Sequence, residues 1–166
     1  MNITYLTDHL PQLRQTARLM SAEWASLPLW VSEEKIVARL QARLAAQDHQ
    51  FTLIAIDEQE RVIATGSIIR YELEDVEQRR WWLGEVVTDA ACRGKGIASA
   101  LIGQCLAHCQ AKGIATLWLY TPDQQAFYRK SGWQEIEQRE VYGERVSVMS
   151  LSLSPQERAP GVIADE

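Results

Sequence analysis

The sharpest chemical signal in the sequence is Arg93-Gly94-Lys95-Gly96-Ile97-Ala98, which follows directly on the β-rich run Val86-Val87-Thr88. A helix that opens straight after a strand presents backbone N–H groups without intrahelical partners at the positive end of its dipole, a natural seat for phosphate oxygens. Gly94 and Gly96 would let a ligand approach the backbone where a Cβ would stand in its way. Arg93 and Lys95 would add charge-assisted hydrogen bonds.

Two common owners of such a loop fail on the residues. A nucleotide P-loop needs Ser or Thr after its Gly-Lys to hold the metal, and Gly96 follows Lys95 here. A dinucleotide fingerprint needs a third glycine where Ser99 stands, and the acidic ribose partner about 20 residues further on is missing. A generic nucleotide-binding domain is thereby weakened. A helix entry that simply contains two convenient glycines stays open at this point.

A second block lies downstream, with Leu117–Tyr120 as a strand and then Ala126-Phe127-Tyr128-Arg129-Lys130-Ser131-Gly132-Trp133. The pair resembles the GNAT family of N-acetyltransferases. Arg93, Gly96 and Ala98 fit each position of that family's cofactor loop, Arg/Gln-x-x-Gly-x-Gly/Ala, and Phe127-Tyr128 fits its aromatic pair before Gly132. The resemblance covers roughly residues 3–153. It implies acetyl-coenzyme A as cosubstrate, with Arg93, Gly94, Lys95, Gly96 and Ala98 at the pyrophosphate. Backbone groups of Val86 and Val87 would lie along the pantetheine and thioester. Phe127 would pack in the core or beside the pantetheine arm. One departure stands out, because the Asn that many members carry before the tyrosine is replaced by Thr121 or its neighbours Pro122 and Asp123.

Acetyl transfer to an amine sets definite demands. A protonated lysine-like amine (pKa roughly 10.4) has no lone pair and must first lose a proton. The attack creates an oxyanion, and the departing thiolate gains from a proton donor. The resemblance assigns that donor to Tyr128, with packing of the short helix onto the sheet as the other reading. Glu85 is the candidate base. Strand alternation puts it on the face of Leu83 and Val87, where burial would raise its pKa and suit it to proton removal. A strand acid paired with an arginine, or facing solvent, is the competing account. The family's acceptor pocket is lined by the first two helices and the last hairpin, which points to Trp30 and Tyr142 as substrate-binding residues, with Trp24, Leu27 and Leu29 nearby in sequence. Trp24 lies on an apolar stripe and fits packing better.

These residues need a scaffold, and the patterning supplies one. Ile3–Leu6 reads as a strand, with Asp8 as cap of a helix carrying Leu10, Leu13, Ala17, Met20 and Trp24 on one face. Ser32 caps a second helix through Ile36, Leu40 and Leu44. Phe51–Asp57 and Val62–Tyr71 form a hairpin, and Trp81–Thr88 is the strand before the loop. Ile97 to Cys109 carries a regular apolar stripe closed by Gly113. Then follow strand Thr116–Tyr120, short helix Asp123–Lys130, and strands Trp133–Glu140 and Arg145–Leu153 around Tyr142-Gly143-Glu144. The order β-α-α-β-β-β-α-β-α-β-β predicts an α/β fold with a mixed, mainly antiparallel central sheet and helices on both faces. Residues 1–153 read as a single acetyltransferase domain and 154–166 as a flexible tail.

Composition excludes several classes. The 166 residues are 46% hydrophobic and 23% charged, ordinary for a globular chain. A formal net charge of -5 argues against a nucleic-acid partner. No apolar run approaches the roughly 20 residues of a membrane span, and the N-terminus lacks a secretion signal. Cys92, Cys105 and Cys109 make no disulfide framework, so the cytoplasm is the expected setting. Cys105 and Cys109 lie on an apolar stripe with no His or Asp to complete a metal site, so no metal is expected. The leading expectation is an enzyme that acetylates a primary amine, a small molecule ahead of a peptide or protein N-terminus. The rival is a coenzyme A-binding regulatory or interaction module with weak or no turnover. A sheet edge or the last hairpin would also allow a homodimer.

Overall fold

The computed structural model describes residues 1–46, 48–74 and 76–153, so the expected tail from Ser154 lies outside the described residues. Eleven main elements follow in the anticipated order: β1 (Asn2–Tyr5), α1 (Leu10–Trp24), α2 (Glu33–Ala46), β2 (Phe51–Ile56), β3 (Val62–Arg70), β4 (Trp81–Thr88), α3 (Ile97–Ala111), β5 (Thr116–Thr121), α4 (Gln125–Lys130), β6 (Gln134–Val141) and β7 (Glu144–Ser152). The strands form a seven-stranded sheet in the order β1-β2-β3-β4-β5-β7-β6. Pairing is antiparallel at β1–β2, β2–β3, β5–β7 and β6–β7, and parallel at β4–β5. The mixed, mainly antiparallel α/β sheet read from the sequence is therefore what the chain builds. Among the described residues, no helix is long and apolar enough to cross a membrane.

Two compact units divide the chain, Met1–Ile69 with Gly84–Cys105, and Arg70–Leu83 with the segment from Leu106 onward. In the first, α1 and α2 cover one face of the strands. Leu13, Ala17 and Met20 of α1 and Ile36 and Leu40 of α2 meet Leu6, Ile54, Val62 and Val87 in one buried cluster. These are the positions that recur at helical spacing, and their burial is the main source of stability of this face. The first turns of α3 lie on the opposite face, packed so close to β3 that a Cβ at Gly66 would stand 2.6 Å from Leu101 Cδ2 and 3.6 Å from Val86 Cγ2.

The start of α1 departs from expectation. His9, not Asp8, is the capping residue, and no side chain caps the helix. Had Asp8 capped it, the amide three places on would be that of Pro11, which has no hydrogen to donate. The second helix behaves as read, with Ser32 Oγ accepting from the Lys35 amide at 3.2 Å.

In the second unit, β5 pairs in register with β7 from Thr116↔Ser152 to Thr121↔Ser147, and β7 pairs with β6 down to Val141↔Glu144. Tyr142-Gly143 is thus a two-residue hairpin loop, with both residues at positive φ (50° and 83°). Such a turn requires left-handed backbone at both places and favours Asn-Gly. A tyrosine there is strained by about 1–2 kcal/mol. Tyr142→Asn should raise the thermal midpoint by roughly 2–4 °C per kcal/mol relieved, as read by calorimetry; an unchanged or lower midpoint would show that the Tyr142 side chain stabilises the turn.

Candidate active site

The glycine loop forms as a sharp entry into α3. Asp89 Oδ1 accepts from the Ala91 amide at 2.9 Å, which caps the single 3-10 turn Ala90–Cys92. Arg93 then runs extended, and Gly94 and Gly96 both adopt left-handed backbone with φ of 78° and 77°. The α3 ladder opens with the Ala100 amide donating to Gly96 O at 3.1 Å. The amides from Gly96 to Ser99 therefore precede the helical ladder and have no intrahelical acceptor. Arg93, Gly94, Lys95 and Gly96 are exposed, and Ile97 anchors the turn in the core. Within the protein a Cβ at either position would meet nothing within 4 Å, so no internal crowding calls for glycine. It is the left-handed backbone that requires them.

Arg93 is held from two sides, Nε donating to Thr88 O at 3.2 Å and Nη2 to Glu23 Oε1 at 2.9 Å. That ion pair is open to solvent, with side chains 55% and 41% exposed, so it contributes little to stability.

Glu85 behaves otherwise than a base poised by burial. Arg43 of α2 grips it with both arms of the guanidinium, Nη1 to Oε1 at 2.7 Å and Nη2 to Oε2 at 2.9 Å, with side chains only 12% and 7% exposed. Ser67 Oγ of β3 donates to Oε1 at 2.6 Å, and Arg43 Nη1 also reaches Thr52 Oγ1 of β2 at 3.0 Å. Ser67 gives its hydrogen to the carboxylate, so Thr52 is the donor in the 2.8 Å bond between the two hydroxyls. Burial pushes the Glu85 carboxyl up, but the Arg43 charge, its hydrogen bonds and the Ser67 hydroxyl outweigh it and hold the group below the ordinary carboxylate range. The expected rise in pKa is thus overturned. The backbone at Glu85 is also left-handed, with φ of 57° in the middle of a strand. A non-glycine residue there costs about 1–2 kcal/mol and persists only where its surroundings impose it.

In the second unit, Thr121 closes β5. Its Oγ1 accepts the amides of Gln124 (3.0 Å) and Asp123 (3.4 Å), which turns the chain into α4 and delays the helix to Gln125 from the expected Asp123. Tyr128 is buried in that helix, its ring 5.9 Å from Trp133 and 5.1 Å from half-buried Phe127. Tyr128 O accepts the amides of Ser131 and Trp133, so the turn through Gly132 folds back onto it. The buried indole Nε1 of Trp133 has no hydrogen-bond partner among the described residues. Ser147 Oγ donates to Glu135 Oε1 at 2.6 Å and accepts from Gln125 Nε2 at 3.2 Å, which ties the start of α4 to the last hairpin.

With this geometry in view, the comparison with known proteins is decisive. The sequence model of the acetyltransferase (GNAT) family matches residues 14–133. The chain belongs to that family. No curated protein matches the sequence. Solved structures agree on the fold: a ribosomal-protein-alanine N-acetyltransferase from Brucella melitensis (TM-score 0.74, 18% identity, 92% of this chain and 100% of that one); an aminoglycoside 6'-acetyltransferase type Ii (0.73, 16%, 95% and 100%); and a phosphinothricin acetyltransferase from Sinorhizobium meliloti in complex with AcCoA (0.72, 17%, 99% and 96%).

Within this GNAT chain, the first unit holds Glu85, Val86, Val87 and the loop Arg93–Ala98, together with Trp30. Trp30 packs on Trp24 at 5.0 Å, under the Arg39 guanidinium at 4.7 Å. The second holds Phe127, Tyr128 and the exposed Tyr142. Cys105 and Cys109 are buried, and burial pushes the Cys109 thiol up to about 12, which keeps it protonated. The residues that sequence reasoning missed are Arg43, Ser67, Thr52 and Glu23. A signal for Arg43 existed, since it continues the Ile36–Leu40 stripe of α2, where a charge must find a partner.

Linkage gives the Arg43–Glu85 pair a distinctive pH signature. With its folded pKa below the unfolded one, Glu85 contributes fully above the ordinary carboxylate range and loses that contribution as pH falls through the folded value. Arg43→Met leaves burial dominant and reverses the sign, so the folded pKa rises. The variant should be about 3–5 kcal/mol less stable near neutrality and recover as acid protonates Glu85. Urea titrations of both proteins from neutral to mildly acidic pH should show the gap narrowing; a gap independent of pH would contradict this.

Proposed function

We propose that this GNAT protein moves the acetyl group of acetyl-coenzyme A onto a primary amine by direct attack on the thioester. The observation that carries the reading is the exposed entry of α3, where the amides from Gly96 to Ser99 precede the ladder between Arg93 and Lys95. Pyrophosphate suits that donor set, because two negative groups can share helix amides and two cationic side chains. Val86 and Val87, one turn of chain before it, are assigned to the pantetheine and thioester carbonyl.

The chemistry then balances simply. The neutral amine nitrogen forms a bond to the acetyl carbon, the carbon–sulfur bond breaks, and the nitrogen gives up a proton. Tyr128 is assigned to protonate the departing thiolate. Glu85 is not assigned as base, because Arg43 and Ser67 already occupy its carboxylate. Water, or an amine that arrives neutral, takes over that part. Trp30 and Tyr142 are assigned to the acceptor.

A small-molecule amine is the preferred acceptor. Two of the similar structures bear the names of aminoglycoside and phosphinothricin acetyltransferases, which supports this choice, while the ribosomal-protein-alanine enzyme keeps peptide N-termini in the trial. Cys92, Cys105 and Cys109, none of them joined in a disulfide, support the cytoplasm as the place of action.

Release of coenzyme A thiol from acetyl-coenzyme A, measured against small amines, N-terminal peptides and lysine peptides, tests the reading. Tyr128→Phe should lower turnover by about 10²-fold and leave coenzyme A affinity unchanged. Binding without turnover on any acceptor would instead favour a coenzyme A-binding regulatory module.

A further inference from the structure

Strand β4 carries its left-handed residue at an unusual place. Gly84, which would adopt that conformation freely, stands one position before it, and Glu85 takes φ of 57° in its stead. What distinguishes Glu85 is its side chain, fastened to Arg43 of α2 and Ser67 of β3. The two residues immediately after it keep the alternation of a strand. Val86 faces the α3 side, near the space beside Gly66 and Leu101, whereas Val87 enters the cluster under α1 and α2. A left-handed residue inside a strand turns its own main-chain groups out of the extended direction, so the peptides that follow depend on its φ being held.

We propose that Arg43 and Glu85 are positioning residues for the cofactor: their ion pair holds the left-handed backbone at Glu85 and so sets the direction in which Val86 and Val87 offer their main-chain groups. This rests on the reading that this stretch of β4 binds acetyl-coenzyme A. A pair that merely docked α2 onto the sheet would affect stability and nothing else.

The two accounts separate in the double variant Arg43→Met/Glu85→Gly. It removes both buried charges together, which avoids an unpaired one, and it leaves a residue free to enter or leave the left-handed region. Calorimetric titration with coenzyme A should show binding weakened by about tenfold or more relative to the native protein, and the Val86 and Val87 amides should exchange faster by NMR. Arg43→Lys keeps the charge but reduces a two-point grip to one, and should fall between the two. If the double variant does not fold, Arg43→Lys decides by the same two measurements. Native-like affinity and native-like exchange in the folded variant would overturn the proposal. Failure of the native protein itself to bind coenzyme A would overturn the cofactor reading, and this inference with it.

Discussion

The first unit depends on the buried ion pair of Arg43 and Glu85. Arg43 and Glu85 lie 42 positions apart, yet their side chains meet beneath α2 beside a buried apolar cluster. Neither charge is tolerable there alone, since an isolated buried ion is unfavourable by several kcal/mol. Together, with Ser67 donating to the carboxylate and Thr52 accepting from the guanidinium, they fix α2 against three strands at once. Apolar contacts among Leu13, Met20, Ile36 and Leu40 hold the layers together without specifying their register closely. The directional hydrogen bonds of the pair do specify it.

Much of this was legible from sequence where the governing physics is local. Helical spacing located α1, α2 and α3 to within a few residues, and β4 fell on Trp81–Thr88 as expected. Strand alternation also placed Glu85 on the face of Val87. What the pattern could not supply was the partner. The pKa of Glu85 follows from a guanidinium far upstream and a hydroxyl on the neighbouring strand, and period-2 or 3.6 patterns carry no information about such a meeting. The misplaced cap at Asp8 has a different origin, because the amide it needed belongs to Pro11. The left-handed backbone at both glycines of the α3 entry is a further reason for them that spacing did not reveal.

The candidate site shows the same division. Motif spacing located both the loop at Arg93–Ala98 and the Phe127-Tyr128 block, since each is a short contiguous stretch. The support beneath them was not visible. Thr121 spends its hydroxyl on the turn into α4, and Ser147 and Gln125 secure that turn to the last hairpin. Ser147 also holds the Glu135 carboxyl below its ordinary range, so this contact is itself charge-assisted.

Arg93 and Glu23 are the same two residue types as the buried pair, but stand in water. Their attraction is screened by solvent, so the guanidinium can exchange this partner for another. On the proposed function, the pyrophosphate of acetyl-coenzyme A would replace the carboxylate at Arg93 and meet the α3 amides in the same event. Cofactor binding would then be coupled to release of Glu23, one exposed ion pair given up for another.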